Sequence, residues 1–138
     1  MFKKSTIPTP MRESALAQQV PARDLEVLHR LGTVVSISEG TPVIRQNTPG
    51  REWLMVLDGE LEVQKDETPL CSLNNGEFAG ELALLSAKPR NATVTAVGAD
   101  AFLYALNRRE FASLLDQAPH LTKIILSTAV DRLHQPTT

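Results

Sequence analysis

Short apolar runs separated by glycine-containing turns are the feature that most constrains the fold of this 138-residue chain. Residues 53–57 form a continuous apolar run, which predicts a strand buried on both faces. Asp58-Gly59 follows that run and is a hairpin signal. Similar turns recur along the middle of the chain, at Gly40, Gly50 and Gly76. Short strands with regular turn signals predict an antiparallel sandwich or barrel.

Helix-forming segments flank and interrupt this strand-rich region. Residues 14–20 predict a short helix, and a second helix begins at Pro21 and ends near Gly32. Residues 80–86 are rich in helix formers. Asn107 and Glu110 have the spacing of a capping box, and apolar residues at helical spacing continue to Leu133. The sequence therefore predicts an α+β fold. An antiparallel jelly-roll-like barrel (a double-stranded β-helix) at about 33–106 holds one embedded helix, with N-terminal helices before it and C-terminal helices at about 108–134 after it.

Length and composition limit the class of protein further. The prolines near the N-terminus predict a flexible leader over residues 1–12, followed by one domain over 13–138. Fourteen Lys and Arg against sixteen Asp and Glu give a net charge of −2, which argues against a general polyanion binder. No apolar run approaches the roughly 20 residues of a membrane helix. The single cysteine, Cys71, excludes an internal disulfide, is expected to be buried, and favours a cytoplasmic setting.

The segment from Phe78 to Val94 carries the chemistry. Gly80 lets backbone approach a ligand closely, and a helix that begins at Glu81 points unpaired N–H groups at the same spot. Such a site attracts phosphate, which the planar fork of Arg90 can grip from the following loop. The Glu81 carboxylate suits a sugar hydroxyl. A nucleoside cyclic phosphate presents both groups, although each residue also has an ordinary interpretation as a turn glycine, a first-turn acid or a surface arginine.

This segment resembles the phosphate-binding cassette of the cyclic nucleotide-binding domain family, which includes catabolite activator proteins, regulatory subunits of cAMP-dependent kinase and cyclic nucleotide-gated channels. The match consists of Gly80-Glu81-Leu82-Ala83-Leu84 and Pro89-Arg90-Asn91-Ala92-Thr93-Val94, with looser similarity over about residues 25–134. Ala79 replaces a common aromatic. Asn91 fits neither the guanine-preferring nor the adenine-preferring pattern. The resemblance implies that the ligand is cAMP or cGMP and favours cAMP.

The resemblance also implies which residues bind the ligand. The expected ligand-binding residues are Gly80, Glu81, Leu82, Ala83, Arg90, Asn91, Ala92 and Thr93. Val56 and Leu73 are candidates for an apolar wall around the base, or for ordinary core.

The resemblance implies a sensor that performs no catalysis and needs neither cofactor nor metal. The C-terminal helix is expected to move over the ligand, with Ile124, Ile125 or Leu133 covering the base, although this stripe also suits permanent core. The expected output is a protein partner or a homodimer. The chain ends shortly after His134, so direct DNA binding is not expected. Membrane contact is not expected either, because no apolar run is long enough. The alternative is a scaffold protein of the same fold that does not respond to ligand.

Overall fold

The computed structural model describes residues 8–134 and contains two four-stranded antiparallel sheets. The strands are β1 (Thr33–Ile37), β2 (Pro42–Ile44), β3 (Glu52–Asp58), β4 (Leu61–Lys65), β5 (Thr68–Leu73), β6 (Phe78–Ala79), β7 (Thr93–Ala96) and β8 (Ala101–Asn107). One sheet has the order β1-β8-β3-β6 and the other β2-β7-β4-β5. The predicted antiparallel jelly-roll fold is confirmed. Among these residues, no strand of one sheet is hydrogen-bonded to a strand of the other, so the two sheets form an open sandwich.

The Asp58-Gly59 signal marks a corner and not a hairpin. The strand before Gly59, β3, lies in one sheet, whereas β4 after it lies in the other. Gly59 has a φ of +104°, and a Cβ there would lie 3.0 Å from Ala101, so glycine suits this close turn. The hairpin interpretation of this turn was therefore wrong, because a local turn signal does not specify which strand the chain pairs with next.

The helices pack against part of the outer face of the β1-β8-β3-β6 sheet. They are α1 (Thr9–Arg12), a 3₁₀ turn (Ala15–Gln18), α2 (Ala22–Leu31), α3 (Glu81–Ser86), α4 (Arg108–Gln117) and α5 (Pro119–Leu133). Alternate residues of β3 serve two cores: Trp53 and Met55 pack under the helices, and Leu54 and Val56 pack between the sheets. This arrangement explains why β3 is apolar throughout, as the sequence predicted. The capping box of Asn107 and Glu110 is present.

The predicted leader over residues 1–12 is described only in part. Residues 1–7 of that leader lie outside the described residues. Residues 9–12 form a helical turn, and Met11 in this turn is fully buried in the core under the helices. No helix within residues 8–134 has both the length and the hydropathy of a membrane span.

Candidate functional site

A cavity of about 460 Å³ lies between the β2-β7-β4-β5 sheet, α3 and the end of α5. One wall is apolar because inward-facing strand residues meet there. This wall contains Ile44, Val63, Leu73 and Val94. The opposite side is formed by residues 79–83 and by the loop from Lys88 to Ala92. The cavity thus has an apolar half and a half that is rich in polar backbone and charge, as ligand sites commonly have.

Gly80 shapes the polar half. It precedes α3 with a φ of +104°, a conformation that side chains disfavour. A Cβ at this position would lie 2.6 Å from the Glu52 carbonyl oxygen and 2.8 Å from Nη1 of Arg90. Glycine is therefore required both by the backbone conformation and by the close approach of its neighbours.

Arg90 is a buried cation at the edge of the cavity, with 8% of its surface exposed. Its Nη1 donates to the Gly80 carbonyl at 3.2 Å, and its Nη2 donates to the Glu52 carbonyl at 2.6 Å. Neither acceptor is charged. Burial lowers the pKa of the guanidinium, although the carboxylates of Glu52 and Glu81 oppose this shift. A buried charge held by neutral acceptors favours the approach of an anion.

The start of α3 adds hydrogen-bond donors to the same place. The first three amides of a helix have no acceptor within it, and here they belong to Glu81, Leu82 and Ala83. The first bond of α3 runs from the Leu84 amide to the Gly80 carbonyl at 3.4 Å. All three preceding residues line the cavity. Backbone donors and Arg90 therefore meet at one end of the pocket.

The Glu81 carboxylate already has a partner. It is 1% exposed, and Nη1 of Arg132 donates to both of its oxygens, at 2.8 and 2.7 Å. Nη2 of Arg132 donates to the Phe78 carbonyl at 2.7 Å, and the guanidinium lies 5.4 Å from the Phe78 ring centre. A carboxylate has about four acceptor positions, so Glu81 retains capacity for a hydroxyl.

The other expected site residues divide into two groups. Asn91 and Ala92 line the cavity, but Thr93 does not, because its Oγ1 accepts a hydrogen bond from the Gln46 amide at 3.0 Å. Leu73 is part of the wall, whereas Val56 belongs to the core between the sheets. Cys71 lines the cavity and is exposed, so its expected burial was wrong.

The C-terminal stripe is divided in the same way. Leu133 lines the cavity and is 67% exposed. Ile125 is fully buried in the core under the helices, and Ile124 packs against that core. Of the three candidates for covering a base, only Leu133 is at the cavity.

Three basic residues that the sequence did not single out also line the cavity: Lys65, Lys88 and Arg132. Strand alternation would have placed Lys65 on the same face as Val63. No local pattern distinguished Arg132, which reaches Glu81 across 51 residues of sequence. Within the part of the chain that the structure describes, no group of His, Cys, Asp or Glu is arranged to hold a metal ion.

Known proteins of one family are similar to this chain. A family model described as the cyclic nucleotide-binding domain matches residues 34–118. The cyclic nucleotide-gated potassium channel mll3241 of Mesorhizobium japonicum is 30% identical over 112 residues, which cover 81% of this chain and 30% of the channel. The cAMP-dependent protein kinase regulatory subunit of Mycosarcoma maydis is 41% identical over 86 residues, covering 56% of this chain and 16% of that protein.

A solved structure shows the same fold. The regulatory domain of Toxoplasma gondii PKA, crystallised with cAMP, superposes with a TM-score of 0.64 at 30% identity. The match covers 80% of this chain and 44% of that one. The chain thus spans less than half the length of each of these three proteins.

Proposed function

The chain belongs to the cyclic nucleotide-binding domain family, and we propose that it binds cAMP reversibly, performs no chemistry on it, and relays its presence to a partner. The observation that carries the proposal is Arg90, a buried guanidinium that donates to the uncharged carbonyls of Gly80 and Glu52 at the edge of an open cavity. A cyclic phosphate supplies the anion that this arrangement favours.

The two halves of the cavity suit the two ends of such a ligand. The phosphate meets Arg90 and the amides of residues 81–83, and the ribose hydroxyl donates to Glu81. The base then lies against the apolar wall that includes Val63 and Leu73. Asn91 by itself favours neither base. The preference for cAMP over cGMP is supported instead by the similarity to the regulatory subunit of a cAMP-dependent protein kinase.

Relay through the C-terminal helices is supported by the contact between Arg132 and Glu81. This ion pair joins the last turn of α5 to the residue that receives the ribose hydroxyl. A ligand that hydrogen-bonds to Glu81 alters the surroundings of Arg132 directly. The position of α5 that is most stable without ligand therefore differs in free energy from the one that is most stable with ligand. A relay between two states requires this difference. A protein partner, or a second copy of the chain, reads the change in a cytoplasmic setting.

Calorimetric titration with cAMP, cGMP and cCMP tests the proposal. We expect cAMP to bind most tightly and Arg90→Ala to weaken its binding by about 30-fold or more, since removing one partner of a buried charge pair costs roughly 2–5 kcal/mol. Arg23→Ala, which removes an exposed arginine on α2, is the matched control. Unchanged affinity in folded Arg90→Ala contradicts the role of this residue.

A second function is a scaffold protein that does not respond to ligand. It is favoured by one observation: Arg132 already occupies the Glu81 carboxylate. A titration without heat for all three nucleotides, with the protein folded, supports this second function over the first.

A further inference from the structure

Arg108, the first residue of α4, joins two segments that are distant in sequence. Its Nη1 donates to the Leu84 carbonyl in α3, and its Nη2 donates to the Gly50 carbonyl ahead of β3, both at 3.1 Å. Both segments frame the phosphate end of the cavity. Arg108 itself is outside the cavity lining.

The bond to Leu84 satisfies a carbonyl that α3 leaves open. The helix ends at Ser86, and Ala87 turns away with a φ of +60°. The Lys88 amide, which a longer helix would direct to Leu84, lies instead 3.4 Å from Oγ of Ser86. Arg108 thus donates to a carbonyl in the last turn of α3, where a cation is also favoured by the helix dipole.

The bond to Gly50 acts on the opposite side of the cassette. Gly50 packs so closely that a Cβ on it would collide with the Cβ of Ala83 and lie 3.2 Å from Cζ of Arg90. The position of the Gly50 backbone therefore limits the space available to the Arg90 guanidinium. Through this bond Arg108 bears on the position of Arg90, in addition to the direct repulsion between the two charges, which adds to burial in lowering the Arg90 pKa.

We propose that Arg108 is a positioning residue for the cyclic nucleotide site. Its side chain holds α3 and the Gly50 segment at the spacing that Arg90 needs to meet the phosphate. The inference rests on the proposed function for its effect on affinity. Because Arg108 is also the first residue of α4, it links the geometry of the cassette to the C-terminal helices.

Affinity for cAMP in three variants tests this role. Arg108→Met is expected to weaken binding about tenfold, as the loss of hydrogen bonds from a charged donor implies. Arg109→Met removes the same charge from the next residue, which is exposed, and is expected to leave affinity unchanged. Arg108→Lys is expected to fall between them, because an ammonium lacks the planar fork. Full recovery with lysine, or a deficit that disappears in 1 M salt, means that the charge acts at a distance and overturns the positioning role.

Hydrogen exchange in the ligand-free protein tests the same role independently of binding. We expect the amides of residues 84–87, in α3 and at its C-terminal cap, to exchange faster in Arg108→Met than in Arg109→Met. Thermal unfolding curves establish that both variants are folded. Equal exchange, or wild-type affinity in Arg108→Met, overturns the inference. If the wild-type chain binds none of the nucleotides, the proposed function fails, and the exchange comparison still decides whether Arg108 positions α3.

Discussion

Arg132 donates from a single nitrogen to both carboxylate oxygens of Glu81, at 2.8 and 2.7 Å, across 51 residues of sequence. Glu81 is 1% exposed, whereas the Arg132 side chain is 25% exposed. The acid is therefore fixed in the protein interior, and the cation reaches it from a helix end near solvent. Because of this asymmetry, we expect Arg132 on α5, and not Glu81, to move when a ligand enters.

Arg132→Met is expected to loosen the end of α5. It removes the ion pair, the bond to the Phe78 carbonyl and the contact with the Phe78 ring, and it leaves a buried carboxylate without its cation, which is strongly destabilising. We expect faster hydrogen exchange over residues 129–134 and a lower melting temperature. Lys123→Met, at an exposed position on the same helix, is the control, and equal exchange in the two variants contradicts the prediction.

Glu81→Ala is expected to abolish discrimination between cAMP and 2′-deoxy-cAMP. The wild-type site is expected to prefer cAMP by about tenfold or more, because a carboxylate acceptor contributes roughly 1.5–3 kcal/mol to a hydrogen bond. Competitive titration of both nucleotides against both proteins measures the difference. A variant that still prefers cAMP by the same factor shows that the ribose hydroxyl is bound elsewhere.

Gly80→Ala is expected to weaken cAMP binding more than tenfold and to lower stability. The new Cβ would meet the Glu52 carbonyl and Arg90, in addition to the strain of a positive φ. Gly98→Ala isolates that strain, because Gly98 has a φ of +81° and no atom within 4 Å of an added Cβ. We expect Gly98→Ala to lose about 1–2 kcal/mol of stability, the cost of a left-handed backbone conformation for a residue with a Cβ, and no affinity. Equal behaviour of the two variants would mean that close approach at Gly80 is unimportant.

Asp24→Ala is expected to destabilise the packing of α5. Asp24, on α2, is fully buried, and its Oδ2 accepts from the His120 and Leu121 amides at 2.9 Å, which caps the start of α5 from another helix. Loss of a helix cap costs about 1–2 kcal/mol. Urea denaturation measures this loss, with the exposed Glu26→Ala on the same helix as the control. Equal midpoints for the two variants count against the capping role.

Tyr104 is expected to make stability fall at alkaline pH. Burial raises its pKa to about 12, against about 10 in an unfolded chain. The folded state therefore retains its proton between these values while the unfolded state loses it. Stability declines as the pH rises from about 10 to about 12, by up to about 1.4 kcal/mol per pH unit. Tyr104→Phe, monitored by denaturant unfolding across this range, is expected to show a shallower decline, and an identical slope refutes the assignment.

The sequence by itself predicted most of the strands and helices, in their order, and identified the cassette; it did not predict α1 or β6. These features depend on residues that are close in the chain: the turn at Gly80, the helix after it, the return to Arg90, and the cap formed by Asn107 and Glu110. Local spacing is sufficient to read them because the groups involved are within one turn or loop of each other.

Only the tertiary structure decided which distant residues meet. It turned Gly59 into a corner between two sheets, directed Thr93 to the Gln46 amide and away from the cavity, exposed Cys71, and brought Arg132 and Arg108 to the cassette. A long arginine side chain carries no local pattern that names its acceptor. Its partner is set by how α4 and α5 pack against the sheet, and that packing depends on the whole core.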